Sequence, residues 1–79
     1  MTHSLKTHPE PFLALRINTK SFEFRKHDRP FAVGDILELK EWDPSTERFT
    51  SQVEVRVVSY IVTGPKFGIP EGDCVMSLV

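Results

Sequence analysis

From Ser21 onward apolar and polar residues alternate with a period of two, which is the signature of strands with one face turned to a core. Phe22 and Phe24 fall on one parity and Ser21, Glu23 and Arg25 on the other, so the pattern predicts a strand with its phenylalanines inside. Asp28-Arg29-Pro30 breaks that strand, and Val33-Gly34-Asp35 reads as a turn into the next. Between Ile36 and Trp42, Leu37 and Leu39 alternate with Glu38 and Lys40, and Asp43-Pro44-Ser45-Thr46 marks a hairpin end. Gln52 to Val62 is the longest strand signal, with Val53, Val55 and Val57 expected to face in and Glu54 and Arg56 out. Its alternation blurs at Val58–Val62, where both faces are apolar apart from Ser59; this predicts a bend through a bulge, with cover on both sides. Gly64-Pro65 ends the run. A loop carrying Phe67, Gly68, Pro70 and Gly72 leads to a last strand, Cys74 to Val79, apolar on both faces and so expected to be central.

Upstream, Ser4 to Lys6 reads as a short strand and Pro9 to Ile17 as a helix. Thr7 and Glu10 have capping-box spacing, but that register would place Pro11 where its missing N–H is needed. A start at Pro9 avoids the loss, and Asn18 can close the helix in a left-handed conformation. Phe12 and Leu15 lie within about 60° of each other around the helix axis, whereas Leu13 and Ile17 form a second stripe roughly 100° away. A short helix on a small sheet buries one stripe, so Leu13 or Ile17 is predicted to stay exposed in the monomer, as a point of self-association or of contact with a protein partner. One helix cannot cover both faces of a flat sheet. The expected fold is therefore α+β: a small, partly closed mixed β-barrel of about five strands with one helix near the N-terminus, in a single domain spanning 1–79.

Composition narrows the function classes. At 79 residues the chain is near the lower size at which a core holds without staples, and its single cysteine, Cys74, reads as a small buried hydrophobe. No charged-then-apolar leader occupies Met1 to Leu15, and no apolar run approaches the ~20 residues of a membrane span. The expectation is a soluble cytoplasmic domain with no membrane association. A pI near 6.3 argues against coating of duplex DNA. His3, His8, His27 and Cys74 are scattered without the short spacings of a metal site, and the four glycines stand alone rather than in a phosphate loop, so neither metal nor cofactor is expected. No nucleophile sits in a recognisable elbow.

The overall charge of −1 conceals a polarised chain. Residues 16–29 carry Arg16, Lys20, Arg25, Lys26 and Arg29 against Glu23 and Asp28, a balance of 5 − 2 = +3. Residues 35–54 carry Lys40 and Arg48 against six carboxylates, a balance of 2 − 6 = −4. A local positive field beside a turn suits an anionic ligand such as a nucleotide phosphate; a solvated strand face paired with its acidic neighbour gives the same pattern.

Lys20, Glu23 and Arg25 fit the Gly-x-Lys-x-x-Glu-x-Arg signature of ASCH domains, members of the PUA-like superfamily of small barrels, with Asn18 in the glycine's place. Over nearly its whole length the chain also resembles a small ASCH-like family of unassigned function from bacteria and their phages. That resemblance is carried by His3-Ser4-Leu5-Lys6-Thr7, the Pro9/Phe12 helix start, Phe22-Glu23-Phe24-Arg25-Lys26, Val33-Gly34-Asp35-Ile36-Leu37 and Phe67-Gly68. It implies a barrel with a cleft beside the helix, lined by the signature residues, where relatives are thought to bind RNA or modified nucleosides. Some ASCH proteins are small amidohydrolases that deacylate a modified cytidine with a lysine, a threonine and a glutamate. Lys20 matches the lysine, while Glu23 stands where those enzymes place the threonine.

The leading expectation is a non-enzymatic binding module for RNA or a nucleotide-like ligand. Lys20 would reach the cleft from the helix–strand junction, Glu23 would accept hydrogen bonds from a base edge, and Arg25 would offer a fork to phosphate. Lys26 and Arg29 read as peripheral steering charges. Trp42 is either a packing residue or a stacking platform, and His3 and Lys6 approach from the first strand with opposite parities. The alternatives are a hydrolase of acylated nucleosides using Lys20 and Glu23, or a protein-interaction domain of phage origin docking through Leu13 and Ile17.

Overall fold

The computed structural model describes every residue from Met1 to Val79. The order is β1 (Thr2–Thr7), α1 (Pro9–Arg16), β2 (Phe22–Lys26), β3 (Ile36–Asp43), β4 (Arg48–Thr63) and β5 (Asp73–Leu78). The strands form one five-stranded mixed sheet in the order β1-β3-β4-β5-β2, with β1 parallel to β3 and the other pairs antiparallel. The parallel pair follows from the intervening helix, because a parallel connection must cross over.

β4 holds the sheet together. Its first part pairs with β3, from Asp43↔Arg48 to Ile36↔Val57; its second pairs with β5, from Val58↔Leu78 to Thr63↔Cys74. The register slips between Val58 and Tyr60, so the predicted bulge falls where the strand changes partner. A second slip lies between Lys40 and Trp42. As expected, β5 lies inside the sheet, between β4 and β2.

The core collects on the face under the helix: Leu5, Leu15, Phe31, Leu37, Leu39, Val58, Cys74, Met76 and Leu78, with Ile61 packed against them. Pro9 opens the helix, and Ile17 is its C-cap rather than its last turn. Asn18 closes it at φ 62°. Phe12 and Leu15 are buried, while Leu13 and Ile17 are 55% and 58% exposed, so the helix does bury a single stripe.

The cover expected on both sides of Val58–Val62 is missing, because Tyr60 is 64% exposed, and three further expectations need correction. The parity of β2 is the reverse of that predicted: Glu23 is 3% exposed, whereas Phe22 and Phe24 are 48% and 52% exposed. The inner face of this strand is filled by an ion cluster instead of by rings. In β4, Val53, Val55 and Val57 face solvent, and Glu54 and Arg56 turn toward the helix. There Arg56 Nη2 donates to the Leu15 carbonyl at 2.8 Å, adding a charged donor to a helix-end carbonyl that the Asn18 amide also reaches at 3.2 Å. Glu54 accepts from Arg16 Nε at 3.0 Å and pairs with Arg56 Nη2, also at 3.0 Å. Arg16, then Arg56, lowers the Glu54 pKa.

The third correction concerns closure. The sheet is open, with β1 and β2 as its edges and no backbone ladder between them. Two arginines reach across instead: Arg25 Nη2 donates to the Lys6 carbonyl at 2.7 Å, and Arg29 Nη1 to the Ser4 carbonyl at 3.2 Å. These are carbonyls on the edge of β1 that does not pair with β3, so the side chains blunt an exposed edge.

Candidate functional site

The helix exit sets the position of Lys20. After the left-handed turn at Asn18, the Thr19 and Lys20 amides both donate to the Ala14 carbonyl, at 2.9 and 3.0 Å. The chain then enters β2, where Glu23 and Arg25, two residues apart, share the inner face. Lys20 Nζ donates to Glu23 Oε1 at 2.6 Å and Arg25 Nε to Glu23 Oε2 at 2.8 Å. A buried carboxylate is tolerable only when its charge is matched, and here each oxygen has its own cation.

This cluster forms the wall of an open cleft of about 940 Å³. The end of β1 supplies Lys6 and Thr7, and the start of α1 supplies His8, Pro9, Glu10 and Pro11. Phe24 is the only apolar aromatic in the lining, so the cleft suits a polar ligand. Its lining residues Lys6, Lys20 and Arg25 against Glu10 and Glu23 give a balance of 3 − 2 = +1 with histidine neutral, although the Lys6 ammonium itself lies over Trp42, outside the cleft. The helix N-terminus adds little, because Pro9 and Pro11 remove two of its amide donors.

Donors remain for a ligand. Arg25 spends Nε on Glu23 and Nη2 on the Lys6 carbonyl, with Thr7 Oγ1 at a marginal 3.5 Å, and no protein acceptor takes Nη1. Lys20 directs one of its three N–H groups to Glu23.

Of the eight residues expected at the site, Lys6, Lys20, Glu23 and Arg25 line this cleft. Lys26 and Arg29 border a separate depression of about 350 Å³ over the β1–β2 seam. Lys26 Nζ lies 3.2 Å from Asp73 Oδ1. Trp42 is outside the cleft; it packs edge-on against Phe49, ring centroids 5.0 Å apart, under the Lys6 ammonium at 4.3 Å. His3 is in the interior, its Nε2 2.8 Å from Asp35 Oδ2 and its ring edge-on to Phe31. Asp35 also accepts from the Met1 ammonium at 3.0 Å and the Ala32 amide at 2.9 Å. The His3 bond, then the Met1 bond, lowers its pKa to about 2. This is a structural node joining β1 to the loop before β3.

Thr7, His8 and Glu10 also line the cleft and were not expected there from the sequence. Thr7 shares the inward parity of His3 and Leu5, a signal that a longer first strand would have carried. Cys74 is buried, and burial raises its thiol pKa, which keeps it protonated and inert. No three His, Cys, Asp or Glu side chains come together as a metal site, and no helix is long and apolar enough to cross a membrane.

Residues 2–78 match the family described as Domain of unknown function (DUF3850), and the chain belongs to that family. No curated protein matches it.

Proposed function

We propose that this chain is a non-enzymatic binding module that takes RNA or a nucleotide-like ligand into the Lys20/Glu23/Arg25 cleft. One observation carries the reading: two cations are pinned on a buried carboxylate yet keep unused donors facing a polar cleft. Pinning removes the rotamer freedom that a loose lysine and arginine would lose on binding, so the donors are preorganised for phosphate or a carbonyl-bearing base. The ASCH-like signature points the same way. The arginine bridges from β2 and the loop after it to the carbonyls of β1 support a partly closed barrel of the PUA-like kind, in which side chains stand in for the missing ladder and the cleft is the gap left beside the helix. The cytoplasm is the proposed compartment.

Fluorescence titration with short RNAs and modified nucleosides tests this. Arg25→Ala removes one or two charge-assisted hydrogen bonds and is expected to weaken nucleotide binding roughly ten- to hundredfold. Absence of binding to the unaltered protein, or binding indifferent to both Arg25→Ala and Lys20→Ala, would sink the proposal.

Thr7 favours a second reading. Its buried side chain lines the same cleft as Lys20 and Glu23, bringing together the lysine, threonine and glutamate that ASCH amidohydrolases use, with the threonine drawn from β1. Incubation with N4-acetylcytidine and chromatography decides the matter. Deacylation no faster than in a Lys20→Ala control excludes catalysis of this kind.

A further inference from the structure

The outer face of β2 poses a problem that the cleft does not solve. Directly opposed residues of an antiparallel pair point to the same side of a sheet. Phe22, Ser77 and Tyr60 therefore form one row across β2, β5 and β4, and Phe24, Val75 and Val62 form the next. Three rings stand on this surface with about half or more of their area in solvent, Tyr60 at 64%. Nothing in the core requires them there, and neither the helix nor a loop covers them. A strand face turned to water ordinarily carries polar side chains.

The charges on the same face identify what fits. Along the chain the sequence reads Lys20-x-Phe22-x-Phe24-x-Lys26, a cation at each end of a pair of rings. Lys20 Nζ lies 5.2 Å from the centre of the Phe22 ring while it also bonds Glu23, so it touches both the cleft and this face. Lys26 is mostly exposed and pairs with the buried Asp73, and Asp28 borders the same depression as Phe24 and Lys26. Asp28 and Glu71 are exposed in the loops beyond the end of the rows. Successive same-face residues on a strand stand about 6.6–6.8 Å apart. Each ring can thus take its own base, unstacked from its neighbour, with the sugar-phosphate backbone running past the two lysines.

We propose that the outer face of β2, β5 and β4 is a stacking platform for single-stranded nucleic acid, with Phe22, Phe24 and Tyr60 carrying bases and Lys20 and Lys26 carrying phosphates. Stacking on aromatic rings tolerates any sequence, because every base has a π-face, and it discriminates against duplexes, whose bases are already stacked. The platform is a different surface from the cleft; the two meet at Lys20 and at Phe24, which also borders the cleft.

The test is fluorescence anisotropy with a labelled oligouridylate twelve nucleotides long, beside a duplex of the same length and uridine monophosphate. The unaltered protein is expected to bind the single strand in preference to the duplex. Phe22→Leu and Phe24→Leu keep apolar bulk at exposed positions but remove the π-face, and each is expected to weaken binding roughly five- to 150-fold. Phe22→Tyr and Phe24→Tyr are expected to retain it. Lys26→Ala is expected to reduce the slope of log affinity against log salt by about 0.7, the value for one phosphate contact on a single strand. Upfield shifts of the Phe22 and Phe24 ring protons on adding the oligonucleotide give a readout that needs no variant.

Three results overturn the platform. The first is no saturable change below roughly 0.1 mM, the weak limit of non-specific binding. The second is single-strand binding that Arg25→Ala abolishes and the leucine variants leave intact, which would assign the nucleic acid to the cleft alone. The third is a doubled sedimentation mass reversed by the leucine variants, which would make this face a contact between two copies of the chain. Loss of monophosphate binding in Arg25→Ala reports on the cleft, and Phe22→Leu, clear of the cleft lining, reports on the platform, so either surface can fail without the other.

Discussion

Glu23 is the residue on which the cleft depends, because it is buried, charged and bonded to both of the side chains that face the ligand space. Glu23→Gln keeps the shape and removes the charge. Lys20 and Arg25 then have no full counter-charge, but both are partly exposed and can relax toward water, so the expected loss of stability is about 1–3 kcal/mol rather than the larger penalty of a fully buried broken pair. The cleft balance rises by one unit, so a phosphate-bearing nucleotide is expected to bind more tightly to the variant even as its denaturation midpoint falls. Chemical denaturation beside a nucleotide titration checks this; a variant that loses both stability and affinity would mean that Glu23 itself contacts the ligand. Lys20, Glu23 and Arg25 were singled out by the ASCH-like signature, and the structure brings them together, but the orientation of Glu23 was not legible. Reading alternation as apolar-in fails where a carboxylate is bracketed by a lysine three residues before and an arginine two residues after, because that local pairing removes most of the cost of turning it inward.

At the scale of the element, the helix was readable almost to the residue: the proline start, the asparagine exit and the single buried stripe all follow from local rules. So was the bulge in β4, since a strand that loses its alternation is one whose surroundings change. What the pattern could not supply was the parity of Glu54 and Arg56. Their inward turn follows the helix, where Arg56 adds a charged donor to the last turn and Glu54 meets Arg16, and those partners become visible only once the helix is laid on the sheet. The other stripe of the helix yields a prediction. Leu13 and Ile17 are exposed, so Leu13→Lys with Ile17→Lys is expected to change stability by no more than about 0.5 kcal/mol, the range for surface sites. If the stripe serves a second copy or a protein partner, the double variant lowers the sedimentation mass or abolishes pull-down while its melting curve stays in place. Unchanged mass and unchanged pull-down would leave the stripe as two isolated apolar residues.

For the whole molecule, polar contacts add to what the small core supplies, and they give the fold a definite response to acid. His3 on β1 and the loop residue Asp35 meet in the interior, and Asp35 gathers bonds from the His3 ring, the Met1 ammonium and the Ala32 amide. Its carboxyl is thereby lowered from 3.8 to about 2, the His3 bond contributing most. The hydroxyl of Ser45 lowers the pKa of Asp43 at the end of β3, and Arg16 lowers that of Glu54. A carboxylate whose folded pKa lies below its unfolded value contributes stability that is fully present above the unfolded pKa and is lost as pH falls through the folded one. For Asp35 that window runs from about pH 4 down to about pH 2. Asp35→Asn is expected to melt at a lower temperature than the unaltered chain at neutral pH, because the amide has one acceptor oxygen for three donors. The gap should then narrow as the pH is lowered from about 4 to about 2, where the unaltered carboxyl takes up its proton and loses the same advantage. Melting temperatures recorded across that range decide it: a gap that stays constant would show that the His3–Asp35 contact stabilises the fold through its shape and hydrogen bonds, with no share from the ionised carboxylate.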